Sequence, residues 1–245
     1  MDFRVVVKLK IVTLFPAIVQ LYFEMSTMAR AVKRGIIEYT LVNIRDYTCD
    51  KHKTCDDNPY GGGVGMVILP EPLGCALDSI DALHKHVVYV TPSGIPFTQD
   101  KALELSCEKE IVFICGRYEG VDQRIIDRYV DDEVSIGDYV LSSGELASLV
   151  IIDTVYRLID GVISTESLDE ESFSDGLLEY PQYTRPEEYR GMNIPDVLLS
   201  GHHKHIQQWR LTQRIAKTLA VRPDLLERAQ KNDSFAKKAN ELSWN

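Results

Sequence analysis

The 245-residue sequence has no stretch of 18 consecutive apolar residues, so it offers no transmembrane helix. The run Ile11–Phe23 is broken by Pro16 and Gln20, and no small-residue cleavage site follows it. It reads as a buried strand entering a helix rather than as a leader. Cysteine is sparse. The five residues at positions 49, 55, 75, 107 and 115 are odd in number and show no Cys-x-x-Cys spacing. That argues against a zinc site or a disulfide framework and for a reducing, cytoplasmic setting. His202, His203 and His205 have no cysteine or carboxylate partner at ligand spacing, so they read as a polar helix start and no metal site is expected. The glycine cluster Gly61–Gly65 is not closed by Gly-Lys-Ser/Thr and does not fit Gly-x-Gly-x-x-Gly. A Walker-type phosphate loop and a dinucleotide fingerprint are both excluded.

What is present describes an ordinary globular protein, with 44% apolar and 26% charged residues. Its length suits one large domain or two modest ones, with a core that needs no staple. The net charge of −10 has the wrong sign for nucleic acid if taken whole, but it is unevenly spread. Residues 163–196 hold nine acids against Arg185 and Arg190, whereas residues 197–245 hold nine Lys/Arg against four acids. An acidic protein with one basic end can still meet a phosphate backbone there.

The first 160 residues alternate short apolar runs with helical patterns. Strands are predicted at Lys10–Phe15, His86–Thr91 and Glu110–Cys115. The last is apolar on both alternating faces, as a parallel strand covered on both sides must be. Helices are predicted at Gln99–Cys107 and Asp122–Tyr129. A third runs from Ser142 to about Ile159, with Ser142 and Glu145 forming a capping box. This is an α/β pattern with a mostly parallel sheet. The segment 163–175 is polar and acidic and reads as a linker, flexible when unoccupied. Helices are again predicted at His203–Ala220 and Pro223–Lys231. The expected organisation is an α/β domain over 1–162, the linker over 163–175 and a small all-α domain over 176–245.

Three loops follow predicted strands, where open parallel sheets place ligands. They are Thr91–Gly94, Gly116–Gly120 and Ile136–Gly144. Their glycines let backbone approach a ligand closely, and their amides and carbonyls can read an adenine edge. The glycine cluster, led by Asp56-Asp57, is either a mobile loop near a substrate or a plain surface loop. In the first C-terminal helix Arg210, Arg214 and Lys217 share one face, with Lys204 a turn earlier and Trp209 alongside. Such a face can hold a nucleic-acid backbone and stack a base, or it is simply a solvated charged face.

Two motifs go further. Cys115-Gly-Arg-Tyr-Glu-Gly-Val-Asp122 and Ser135-Ile-Gly-Asp-Tyr-Val-Leu141 resemble those of the bacterial tRNA (guanine-N1)-methyltransferases of the TrmD type, in the knotted SPOUT class. The likeness continues, in order, through Leu14-Phe15-Pro16, Asp56–Gly63, Gly176-Leu177-Leu178, Tyr183–Pro186 and Leu199–His203. It implies a trefoil knot in the first domain, a homodimer with active sites at its interface, S-adenosylmethionine as methyl donor and tRNA as substrate. The target would be the guanosine 3′ of the anticodon, position 37. Magnesium is also implied as a helper ion, without a dedicated site in the sequence.

By motif match, the cofactor contacts would be Tyr89, Thr91, Pro92, Gly116, Tyr118, Glu119, Val121, Ile136, Gly137, Asp138, Tyr139, Val140, Leu141 and Gly144. The guanine-oxygen contact would be Arg157. Asp56, Lys204, Arg210 and Arg214 are the expected tRNA contacts. The family's general base, an aspartate directly before Ser-Phe, matches Glu171, with Asp169 and Glu170 as the other linker carboxylates. Further departures are Ser143 where a second glycine is usual, Ala147 where proline is common, and Glu179 for the aspartate after Gly-Leu-Leu. Competing readings are a knotted methyltransferase acting on ribosomal RNA or a ribose hydroxyl, and a non-catalytic RNA-binding module.

Overall fold

The computed structural model describes residues 6–163 and 171–230, with side chains through residue 228. The chain divides into two compact units after Ile163. In the first, five parallel strands form one sheet in the order β2-β1-β6-β5-β7. They are β1 (Val7–Thr13), β2 (Ile37–Asn43), β5 (His86–Pro96), β6 (Glu110–Cys115) and β7 (Asp132–Ser135). Outside this sheet, β3 (Asp56–Asp57) and β4 (Val67–Ile68) pair antiparallel, and the glycine cluster is the loop between them.

Helices cover both faces, as parallel strands require. Residues Ile111, Phe113 and Cys115 of β6 face one core, shared with α1 (Pro16–Phe23), α2 (Ser26–Lys33), α4 (Gln99–Ser106) and α6 (Gly144–Arg157). Val112 and Ile114 face the other, shared with α3 (Pro70–Ser79) and α5 (Gln123–Tyr129). β6 therefore sits at the sheet centre, as its two-faced apolar pattern predicts. The edge strands β2 and β7 were not among the predicted strands. β7 is four residues long and opens on Asp132-Glu133, too polar and short to register as a strand by hydropathy.

The predicted strand His86–Thr91 proves longer. Both Val90 and Ile95 pair with Val134 of β7, so the residues between them are extruded as a bulge. A bulge re-aims a strand locally, and here it forms the first of the three loops. Gly94 makes this possible, because a Cβ there would lie 2.5 Å from the Glu133 carbonyl carbon.

The second unit is mainly helical, with helices Asp196–Leu199, His203–Val221 and Pro223–Gln230. It also carries a two-residue antiparallel ladder, β8 (Glu188–Tyr189) with β9 (Met192–Asn193), so an all-α description does not fit it. Leu177 and Leu226 are buried together against Leu211 and Ile215.

Candidate active site

The bulge after β5, the loop after β6 and the loop after β7 meet at the carboxyl ends of their strands around a cavity of about 260 Å³. Of the carried-over cofactor contacts, Tyr89, Thr91, Pro92, Gly116, Tyr118, Glu119, Ile136, Gly137, Tyr139, Val140, Leu141 and Gly144 line it. Val121 and Asp138 do not. Val121 is buried, and its amide bonds the phenol of Tyr89; Asp138 is exposed. Arg117, Gly120, Ser142, Ser143 and Ala147 also line the cavity, though none is a carried-over contact.

Close backbone approach holds the walls together. The Gly144 amide donates to the Gly116 carbonyl at 2.8 Å, and Arg117 bridges Ser143. A Cβ on Gly144 would sit 2.7 Å from the Gly116 nitrogen, so this residue must be glycine for the second and third loops to touch. Burial pushes the Tyr89 phenol above its ordinary value, only partly offset by hydrogen bonds from the Val121 amide and Thr91. It stays neutral, suited to hydrogen bonding rather than to charge. Burial likewise pushes the Cys115 thiol well up, which removes it as a nucleophile.

The capping box is not formed. α6 begins at Gly144 with Ser143 as N-cap, and no side-chain cap bond is made. Glu145 instead turns inward, fully buried, where the Thr13 hydroxyl donates to its Oε1 at 2.6 Å. The same Thr13 oxygen accepts from the Phe15 amide at 2.9 Å, and the Phe15 ring carries the Arg117 guanidinium 4.4 Å from its centroid. A long-range tie to β1 outcompetes the local cap.

The glycine loop is strapped to the same wall. The Glu119 amide donates to the Met66 carbonyl at 3.0 Å, and the Ile68 amide to the Gly120 carbonyl at 3.0 Å. Tyr60 and Val64 stand fully exposed on it. Asp56 lies at the hairpin's start, in β3.

Arg157 lies in the last turn of α6 and Gly144 in the first. Thirteen residues at about 1.5 Å each separate them by roughly 20 Å. A side chain cannot span that distance, so the cleft and Arg157 of one copy do not form one site.

In the second unit Glu171 opens an ordered turn. The Glu179 carboxylate accepts from the Ser172 amide at 3.2 Å, and the Glu179 amide donates to the Ser172 hydroxyl at 3.0 Å. Phe173 adopts a left-handed φ of 75° and donates its amide to the Leu177 carbonyl at 2.9 Å. Residues 171–175 thus belong to the folded second unit rather than to a loose linker. Asp169 and Glu170 lie outside the described residues.

The expected basic face is corrected at its centre. Arg214 is buried and pairs with both oxygens of the buried Asp175, one at 2.9 Å, while its Nε donates to the Leu178 carbonyl at 3.2 Å. Its spacing from Arg210 is right, but the inner face of the helix also runs through Leu211, Ile215 and Thr218. Arg214 is therefore structural and unavailable to a docking partner. Arg210 stacks over Tyr180 at 4.7 Å, whereas Lys204 and Lys217 are exposed. Arg214→Ala should leave Asp175 buried without its partner and destabilise the protein by about 3–5 kcal/mol. Denaturant titration checks this, and a loss below about 1 kcal/mol would return Arg214 to the surface.

An open parallel sheet with a cleft of glycine-bearing loops at its carboxyl edge is the architecture of a cofactor-binding α/β enzyme domain. Residues 7–228 match the family described as tRNA (Guanine-1)-methyltransferase TrmD, and the chain belongs to it. Among its relatives is the tRNA (guanine-N(1)-)-methyltransferase of Treponema denticola, 63% identical over 95% of this chain and 96% of that protein. Proteins of the same description from Treponema pallidum, 60% identical over 95% and 93%, and Borrelia hermsii, 56% identical over 94% and 99%, are also similar.

Proposed function

We propose that this chain transfers a methyl group from S-adenosylmethionine to N1 of guanosine 37 in tRNA. The observation that carries the proposal is the three-loop cleft, backed by glycines, in a chain of this family. The cleft suits the donor: Gly116 and Gly144 bring backbone to its floor, a neutral Tyr89 lines it, and Ile136, Val140 and Leu141 add apolar wall. When bound, S-adenosylmethionine supplies an electrophilic methyl group on a sulfonium.

The remaining chemistry falls to side chains. Guanine N1 carries a proton that must leave as the new bond forms, and Glu171 is the carboxylate assigned to take it. Negative charge then grows on O6, where the Arg157 guanidinium stabilises it. The target base must be held out of its stack, at a cost of a few kcal/mol that is lower in a loop than in a duplex. Among the described residues no group of three His, Cys, Asp or Glu could hold a metal, so no step is routed through magnesium.

The roughly 20 Å between Gly144 and Arg157 supports a homodimer in which each cleft receives Arg157 from the other copy. Leu146 and Val150 are exposed one turn apart on α6. Ile18 and Leu21 are exposed on α1, which is tied to α6 through Tyr22 and Asp153. This apolar surface fits an interface between copies. Val150→Glu is expected to yield a monomer by sedimentation, with methyl transfer lost and the cleft still folded. A fully active Val150→Glu dimer would move the interface elsewhere. The Gly144–Gly116 contact also supports the family's knot, with the chain after β7 drawn through the loops after β5 and β6. No described helix is long and apolar enough to cross a membrane, which accords with a cytoplasmic tRNA enzyme.

The direct test uses labelled S-adenosylmethionine with total tRNA and with ribosomal RNA, followed by nucleoside analysis. Label should appear as 1-methylguanosine in tRNA and vanish when guanosine 37 is replaced. Label in ribosomal RNA or on ribose would favour the competing readings.

A further inference from the structure

Among the described residues that line the cleft, Arg117 is the one cation and Glu119 the one anion. They sit two positions apart in a single loop, and each is held from outside it. The Arg117 guanidinium rests on the ring of Phe15, whose backbone is fixed by the Thr13–Glu145 pair. The Glu119 side chain lies against Gly65 of the glycine loop, where a Cβ would meet its Cγ at 2.6 Å. Tyr118 between them takes a left-handed φ of 58°, a costly conformation for a tyrosine and one that accompanies functional sites. No described acid pairs with Arg117 and no described cation with Glu119. Both charges therefore stand at the cleft without a protein counter-ion.

A ligand that answers one fixed positive and one fixed negative charge side by side is a zwitterion. We propose that Arg117 and Glu119 clamp the amino-acid end of the methyl donor, Arg117 taking the α-carboxylate and Glu119 the α-ammonium. This deepens the methyltransferase reading and rests on it. A planar guanidinium matches a carboxylate with two parallel N–H donors, which an ammonium cannot reproduce. The clamp fixes the tail of the donor and so sets the angle at which its sulfur faces the substrate.

The test is calorimetry on the full-length protein with four probes. They are S-adenosylhomocysteine, its decarboxylated analogue, its deaminated analogue, and 5′-methylthioadenosine, which lacks the amino-acid end. Wild type should bind S-adenosylhomocysteine at least about tenfold more tightly than 5′-methylthioadenosine. Arg117→Met should weaken S-adenosylhomocysteine by about 10- to 100-fold and leave the decarboxylated analogue and 5′-methylthioadenosine unchanged. Arg117→Lys should recover only part of the loss. Glu119→Gln should weaken S-adenosylhomocysteine less, because its carboxylate is exposed, and should spare the deaminated analogue.

Equal weakening of all four probes by Arg117→Met, or of none, overturns the clamp. So does wild-type protein that binds 5′-methylthioadenosine as tightly as S-adenosylhomocysteine. Wild-type protein that binds neither overturns the methyl-donor reading itself, a distinct failure.

Discussion

Glu171→Gln is expected to slow single-turnover methyl transfer by about 10²- to 10⁴-fold while S-adenosylmethionine and tRNA still bind. The amide has nearly the shape of the carboxylate but cannot take the N1 proton. Position matters as much as chemistry, since a misplacement of about 1 Å can cost roughly 10²-fold. Glu171 heads a turn held by the Ser172–Glu179 pair of hydrogen bonds and by Phe173 on Leu177. That turn is already built in the free chain, so the base need not be positioned by a wholly flexible linker. Glu171→Asp should stay active because the carboxylate is retained, and Asp169→Asn should be nearly normal. Rates across pH separate the cases: the acid limb of the wild-type profile should disappear in Glu171→Gln. A dead Asp169→Asn beside an active Glu171→Gln would place the base two residues earlier.

Gly144→Val should be the most damaging change to the cleft. Its Cβ would fall 2.7 Å from the Gly116 nitrogen and 3.0 Å from the Gly116 oxygen, both backbone atoms with little freedom to retreat. Overpacking of this kind costs about 1–3 kcal/mol, or roughly 10- to 100-fold in donor affinity if it falls on the bound state. The Gly144–Gly116 hydrogen bond would be strained as well. Gly137→Val should also impair binding, since Gly137 has φ 149° and a Cβ there would meet the Tyr139 ring at 2.5 Å. A ring can swing aside where backbone cannot, so the Gly137 effect should be the smaller. Calorimetry with S-adenosylhomocysteine reads both, and unchanged affinity for Gly144→Val would mean the donor does not occupy this cleft.

Much of this site was legible in the sequence because its signals are local. A two-faced apolar strand followed by a glycine loop marks the carboxyl edge of a parallel sheet, and three such loops do converge. What escaped depends on partners far along the chain. Ser142 and Glu145 have the residue types of a capping box, yet Thr13, 132 residues away, holds the Glu145 carboxylate. Arg214 has the periodicity of a basic face, but periodicity does not reveal that Asp175 waits on the buried side. Arg117 went unnoticed within a recognised motif because its lack of an acid partner is a fact of three dimensions. The bulge in β5 was missed because its residues look like a turn, and the strand resumes beyond them at Ile95.

The composite active site is tested most directly by a mixed dimer. Gly144→Val disables a cleft, and Arg157→Ala disables what a copy lends to its partner. Each homodimer should be nearly inactive, by about 10²-fold or more for Arg157→Ala. Co-expressed with two different tags and purified as the mixed species, the pair has one site in which both features are intact. The account predicts about half the wild-type rate of 1-methylguanosine formation from that mixed dimer, as two-fold symmetry requires. A mixed dimer as inactive as its parents would contradict it, because the cleft and Arg157 would then have to act within one copy.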